Sequence, residues 1–408
     1  VNLPTSCVVD FTEGYTVTLN VINGSTSPVS KVVGRDGVTS FTVTPNSGYK
    51  LELESDTCNG TLSGNTYTIS NITGNKTCSI TFKQYLPLYD KILADNTTIK
   101  TRTDFNTTFT ETNTGTLYKA TESIAGNTPK DVYYFAGDAK NNWVKFGGFY
   151  WRIIRTNYDG SIRLLYSGTS HNTTAGYIGT SKFNTSTNDP MYVGYKYGTT
   201  DSLENNRLNT NDSTIKTYID NWYKNNLTAY TKYLSKDAVY CNDRNLASEH
   251  GYSTTDSFRY YSLERIRTNK QPTYNCINMR DAFSVNNTSA KLDYPVGLMT
   301  IDELSYAGGE TGEPLTAPYI WYYTNANGES SYASATFWSL SPSGWFSSGS
   351  YVWFVLGSGS PGILGEGGIF YSLAVRPSVS LLSCNLISRG NGSPENPYVV
   401  YTGSGVCE

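Results

Sequence analysis

Trp143-Val144-Lys145-Phe146-Gly147-Gly148-Phe149-Tyr150-Trp151-Arg152-Ile153-Ile154-Arg155, followed by Asp159-Gly160-Ser161-Ile162-Arg163-Leu164-Leu165-Tyr166, carries a strong strand signal. β-branched and aromatic residues dominate it, and such side chains fit a pleated, packed surface. Phe149, Trp151 and Ile153 alternate with Tyr150, Arg152 and Ile154, which predicts one strand with two unlike faces. Asp159-Gly160 predicts a tight hairpin turn into a second strand from Ile162 to Tyr166. Val132-Tyr133-Tyr134-Phe135, just upstream, reads as a further strand.

The N-terminal part differs in character. From Tyr15 to Phe82 short runs alternate with period two: Val17, Leu19 and Val21, then Phe41 and Val43, then Tyr49, Leu51 and Leu53, then Tyr67 and Ile69, then Ile80 and Phe82. Asn23-Gly24, Asn46-Ser47-Gly48 and Ser63-Gly64-Asn65 supply turns between them, so residues 1–84 read as a small all-β module. Cys58 and Cys78 bracket its last hairpin and are expected to pair. Cys7-Val8-Val9-Asp10-Phe11 repeats the pattern of Cys78-Ser79-Ile80-Thr81-Phe82. Each stretch then closes one repeat, and the chain reads as cut from a longer tandem-repeat protein.

Residues 85–130 are rich in Thr and Asn and read as a connector with a short helix near Tyr89 to Leu93. Residues 131–408 form the large domain. There a helix capped by Asp212 or Ser213 places Ile215, Tyr218, Ile219 and Trp222 on one stripe. A shorter helix runs from the Thr300 cap to Gly308-Gly309. Strands follow at Phe337 to Leu340, Tyr351 to Leu356, Ile369 to Val375, Val379 to Leu382 and Tyr398 to Tyr401. Helices early and strands late predict an α+β fold.

Only 16% of the residues are charged and the formal net charge is −3, so no basic field is available to hold phosphate and nucleic acid is excluded as a partner. No apolar stretch approaches the roughly 20 residues that span a bilayer. The N-terminus lacks a charged-then-apolar leader, as a mature or trimmed soluble product would. The remaining cysteines, Cys241, Cys276, Cys384 and Cys407, stand apart without CxxC spacing, which favours disulfides over zinc and an oxidising exterior. Sequons at Asn96, Asn106, Asn172 and Asn286 add weak support for glycosylation.

Signals for catalysis are sparse. His171 and His250 sit in Ser-His-Asn and Glu-His-Gly loops without nearby partners for a hydrolase or metal site. Gly357-Ser358-Gly359-Ser360-Pro361-Gly362 satisfies GxGxxG, but glycines follow it where a dinucleotide site needs a helix. Glu303 and Glu310 are candidate general acids, although a carboxylate on a helix surface is more often solvated. Glu395-Asn396-Pro397 resembles the carboxylate-amide pair of calcium-dependent lectins, yet one pair offers too few oxygens for calcium. No cofactor or metal is expected.

Gly344 to Tyr371 is different in kind. Trp345, Phe346, Tyr351, Trp353, Phe370 and Tyr371 lie among serines and glycines, and Glu366 is the single charged residue. Rigid aromatics with adaptable Ser and Gly are the composition of antibody-like recognition loops. Strand alternation assigns Val352, Phe354 and Ile369 to an inward face, and Tyr351, Trp353 and Phe370 to an outward one.

The quoted strand pair, with Tyr294-Pro295-Val296-Gly297-Leu298, Phe337-Trp338-Ser339-Leu340-Ser341-Pro342, Val375-Arg376-Pro377 and Pro397-Tyr398-Val399-Val400, resembles a group of gut-bacterial surface proteins with C-type-lectin-like ends. The likeness covers roughly Leu86 to Val400. The N-terminal module is similar to the InlB-type B-repeats that act as spacers, through the Ser47-Gly48-Tyr49 turn after a Thr/Val strand. In the family the stretch between the Trp-Ser and Val-Arg-Pro blocks is hypervariable and resembles the variable regions of proteins diversified by retroelements. The resemblance therefore implies a C-type-lectin-like domain, with Trp338 and Arg376 as scaffold. Gly344, Trp345, Phe346, Ser347, Ser348, Tyr351, Trp353, Leu356, Ser358, Ser360, Leu364, Glu366, Phe370 and Tyr371 become the variable contacts. Adenine-directed mutation of an Asn codon cannot yield Trp or Glu, so Trp345, Trp353 and Glu366 must be fixed or arise otherwise. Leu373-Ala374 also stands where family members tend to have Tyr-Gly.

The function so implied is an extracellular adhesin or receptor on a bacterial surface, binding a protein or glycan on another cell or a phage, and not an enzyme. A formylglycine-generating-enzyme-like catalyst is the runner-up, since such enzymes share the fold and use a reactive cysteine pair. Cys241 and Cys276 are instead expected to form a structural disulfide. A filament subunit or a phage attachment protein is the third reading.

Overall fold

A computed structural model describes residues 13–330, 335–346, 349–357, 359–402 and 407. These divide into two compact units, residues 13–86 and residues 87–402 with Cys407.

The first unit consists of two four-stranded sheets. One has the order Ser30–Gly34, Gly14–Ile22, Lys76–Gln84, Tyr49–Asp56, and the other Gly24–Ser27, Gly37–Pro45, Thr66–Ile72, Thr61–Ser63. The period-two runs point one set of side chains inward from each sheet, and Val17, Leu19, Phe41, Val43, Tyr67, Ile69, Ile80 and Phe82 form a shared core. Leu51, expected with them, is exposed. The strand Gly14–Ile22 lies parallel to Lys76–Gln84 with Leu19 opposite Cys78, and Cys78 is bonded to Cys58. The repeat carrying Cys7 lies outside the described residues.

In the second unit the quoted stretch lies at the centre. The strand Phe149–Thr156 pairs with Lys130–Tyr134, Trp143–Phe146 and Ile162–Tyr166. Lys130–Tyr134 continues to Thr116–Glu122 and Thr98–Lys100, while Trp143–Phe146 continues to Tyr398–Val400 and Leu386–Arg389. Residues 87–130 are thus part of this unit and supply strands to its main sheet, together with the helix Leu88–Asp95. Its strands are short or, like Thr116–Glu122, interrupted by Thr and Lys, so no long apolar run marks them and the stretch reads as a connector. A second sheet has the order Thr180–Ser181, Leu373–Ala374, Phe337–Phe346, Gly349–Val355, Leu364–Gly368.

The α+β expectation is corrected: 39% of the described residues are strand and 13% helix, with short helices scattered among several sheets, so the fold is β-rich. The helix Thr214–Asn226 is real, capped by Ser213, whose side chain accepts from the Lys216 amide. So is Ile301–Ala307, which has a capping box between Thr300 and Glu303 and ends where Gly308 takes φ 125°. Neither is long enough to form a layer. No helix among the described residues is long and apolar enough to cross a membrane.

The alternation expected along Phe149–Thr156 is also replaced, because Trp151 to Thr156 are all buried. Both faces are covered, and the polar members are tied down. Arg152 donates to Asn142 Oδ1 at 2.6 Å and to the carbonyls of Ala139 and Thr324. Arg244 reaches the carbonyls of Lys196, Asn206 and Arg280, and Arg376 those of Tyr166, Gly176 and Tyr322. Loop carbonyls without a ladder partner need donors, and a buried guanidinium offers five. These arginines hold the long irregular segments that surround the sheets.

Candidate ligand-binding surface

The strands Phe337–Phe346, Gly349–Val355 and Leu364–Gly368 are joined antiparallel, with Trp353 opposite Glu366 and Phe354 opposite Gly365. Trp353 is fully buried and its Nε1 donates to Ser262 Oγ at 3.1 Å. Leu364, Trp345 and Gly344 are buried too, and Glu366 forms an ion pair with Arg267 at 2.8 Å. The expected outward orientation of Trp353 is therefore corrected. The strand Phe258–Arg259 pairs beside Phe337–Phe346, and the short helix Tyr261–Leu263 that follows it, remote in sequence, brings Ser262 onto Trp353, with Arg267 over the ring. Tyr351 and Phe346 are half-buried, edge to face at 4.7 Å.

The opposite face carries the accessible aromatics. Phe354, expected inward, is half-buried above a glycine floor: a Cβ at Gly365 or Gly367 would lie 2.6 Å from its ring. The expected strand from Ile369 to Val375 is broken, since Leu364–Gly368 ends and Leu373–Ala374 resumes after a turn. In a strand Phe370 and Tyr371 would point to opposite sides. The turn instead leaves Ile369 buried and both rings outward, 46% and 50% exposed, with centroids 4.3 Å apart. A side chain at Gly368 would collide with the Phe370 ring. Leu356 and Ser360 are half-buried nearby in sequence, and Ser347, Ser348 and Ser358 lie outside the described residues. Trp338, opposite Phe354 on the neighbouring strand, is buried with ring centroids 6.0 Å apart and donates to the Ser181 carbonyl.

Beside this face runs a polar groove of about 410 Å³ that no motif announced. Asn184 on its wall donates its backbone amide to Ile369, one residue from Phe370. The helix Thr214–Asn226 supplies Thr214, Thr217, Tyr218 and Asn221, and Tyr197 stands across from them. Glu395 lines a separate cleft of about 550 Å³ with Asp95, Asn141 and Asn391.

The candidate acids are not solvated. Glu303 is buried, accepts from Arg155 at 2.8 Å and Arg163 at 3.0 Å, and caps its own helix through the Thr300 amide. Burial opposes its ionisation, but Arg163 and Arg155 outweigh this and hold its carboxyl below the ordinary value. Glu122 receives Arg155 through both of its oxygens at 2.9 Å. Glu310 is engaged by Lys270 and the Gly312 amide. These groups are saturated by fixed partners, which suits a scaffold. Asp212, Asp220 and Asp293 converge closely enough for a metal, but the buried Lys216 ammonium bonds all three at 3.0, 2.5 and 2.8 Å and stands where a cation would. Cys241 is bonded to Cys276, and Cys384 to Cys407.

No family model, no curated protein and no solved structure matches this chain.

Proposed function

We propose that the protein is an extracellular ligand-binding surface protein, an adhesin or receptor, whose recognition face is built on Phe354, Phe370 and Tyr371. The observation that carries this reading is the pair of adjacent rings, each about half exposed, held above glycines by a turn. Two adjacent aromatics left in water need a reason, and rigid rings are efficient contact area because little entropy is lost on binding. The three disulfides support an oxidising exterior. The residues that adenine-directed diversification cannot produce are the packed ones: Trp345 and Trp353 lie in the core and Glu366 is ion-paired. That division supports a variable surface on a fixed frame, as in the bacterial surface proteins the sequence resembles. The closed Cys241–Cys276 bond favours binding over thiol catalysis.

The test is a screen of the whole chain against arrayed cell-surface ectodomains and glycans, repeated with Phe370→Ser/Tyr371→Ser. A partner whose affinity falls at least tenfold in the double variant supports the reading. Partners bound undiminished by that variant overturn it.

A further inference from the structure

The strand Leu364–Gly368 ends its sheet: it pairs with Gly349–Val355 on one edge, and no strand among the described residues borders the other. Leu356 donates its amide to the Ile363 carbonyl and Ile369 to the Ser350 carbonyl, and between them antiparallel ladder bonds recur at every second residue. Gly365 and Gly367 therefore bond inward, while Leu364, Glu366 and Gly368 turn their backbone groups to the open edge. Its two ends are closed, because the Leu364 amide donates to the Glu310 carbonyl at 2.9 Å and the Gly368 carbonyl accepts from Tyr371 at 3.3 Å. Between them, no group among the described residues meets the Glu366 N–H or C=O. An unpaired edge is a template for another strand, and proteins blunt it with charge or proline. The other described edge strands of five or more residues are blunted so: Tyr49–Asp56 carries Lys50, Glu52 and Glu54, and Ser30–Gly34 carries Lys31. Leu364–Gly368 reads Leu-Gly-Glu-Gly-Gly, and its one charge is paired to Arg267 at 2.8 Å. On its glycine side a Cβ at Gly365 would meet Phe354 and Leu356, and one at Gly367 would meet Phe354 and Tyr371, so these side chains form one apolar row over the strand.

We propose that Leu364–Gly368 captures an extended peptide segment of a partner protein, which pairs with the backbone of Glu366 and lays apolar side chains on Leu356, Phe354 and Tyr371. This rests on the recognition face described above and deepens it by naming the partner as polypeptide rather than glycan, since an adjacent backbone N–H and C=O at a sheet edge are what an added strand complements. The segment's residue beside Glu366 shares that residue's face with Arg267, whose side chain keeps 43% exposure. An acidic side chain fits there, and alternation puts the residues before and after it on the apolar row. A second copy of the chain is a poorer occupant, because antiparallel pairing about Glu366 would set two like carboxylates side by side.

The experiment is selection of a random-peptide display library on the whole chain, with the affinities of enriched peptides read by fluorescence anisotropy. Enriched sequences should hold an acidic residue between two apolar ones. Glu366→Pro removes the outward N–H and no ladder bond, and proline is tolerated where an edge strand's N–H faces away from the sheet. It should weaken binding at least tenfold more than Glu366→Ala, which loses the same carboxylate and keeps the N–H. N-methylation along the peptide, which requires no change in the protein, should weaken binding at every second residue. No enriched peptide, equal affinities for the two Glu366 variants, or N-methyl effects without alternation overturns the proposal. Phe370→Ser/Tyr371→Ser separates the two readings. A screened partner lost in that variant but indifferent to Glu366→Pro leaves the recognition face standing and removes strand capture.

Discussion

Replacing Trp353 and replacing Phe370 by serine should have opposite consequences, although both aromatics lie in the same Ser/Gly-rich segment. Trp353 is fully buried and its indole N–H donates to Ser262. Truncating a buried tryptophan costs about 3–5 kcal/mol through lost transfer energy and the cavity left behind. The stranded Ser262 hydroxyl keeps a bond to the Pro342 carbonyl, so little is added there. Phe370 retains 46% of its exposure in the folded state. Full burial of a phenylalanine contributes about 1.5–3 kcal/mol, so about half of that, near 1 kcal/mol, is the expected loss. Urea unfolding followed by far-UV circular dichroism reads both variants on one scale. Trp353→Ser should lower the midpoint strongly and Phe370→Ser weakly, while ligand capture should be lost in Phe370→Ser at temperatures where it remains folded. A cost below about 1 kcal/mol for Trp353→Ser, or equal costs for the two, would refute the division into frame and surface.

Arg155→Met should cost about 3–5 kcal/mol, because Glu122 loses a bidentate partner while buried, and Glu122→Gln in that background should restore part of it; a double-mutant cycle in urea checks this. Glu303, held below its ordinary value of 4.5, contributes stability that is complete above that value. It is lost as pH falls further through the lower native value, so unfolding midpoints measured between pH 7 and pH 3 should decline only at the acid end. Thiol titration of the native protein should find Cys241 and Cys276 unreactive, with both appearing only after reduction and unfolding.

Much of the frame was legible because it follows local chemistry. Period-two runs in the first unit, the Ser213 and Thr300 caps and the stop at Gly308 all depend on neighbours a few residues away. What escaped depends on remote partners. Arg152 and Arg155, on opposite faces of a regular strand, read as solvent-facing charges until the carbonyls and carboxylates that cover them are in place. Trp353 looks like an outward residue because nothing near it in sequence announces Ser262 and Arg267. The same alternation points Phe354 inward, and only its position across from Gly365, with Gly367 diagonal to it, shows why the ring can lie over backbone. The aromatic segment was found by composition, but the turn that aims Phe370 and Tyr371 together was hidden in an apparent strand. The groove gave no signal at all, since Asn184, Tyr197 and Thr217 come from separate stretches of unremarkable polar sequence.

The most direct measurement is the sequence of the encoding locus across many isolates, comparing codons between Ser343 and Ser372. The expected result is substitution concentrated at exposed and half-exposed positions such as Leu356, Phe370 and Tyr371, with Trp338, Trp345, Trp353, Leu364 and Arg376 constant. Substitutions spread evenly along the gene, or a constant Phe370 and Tyr371 beside changing core positions, would contradict a variable recognition surface on a fixed frame.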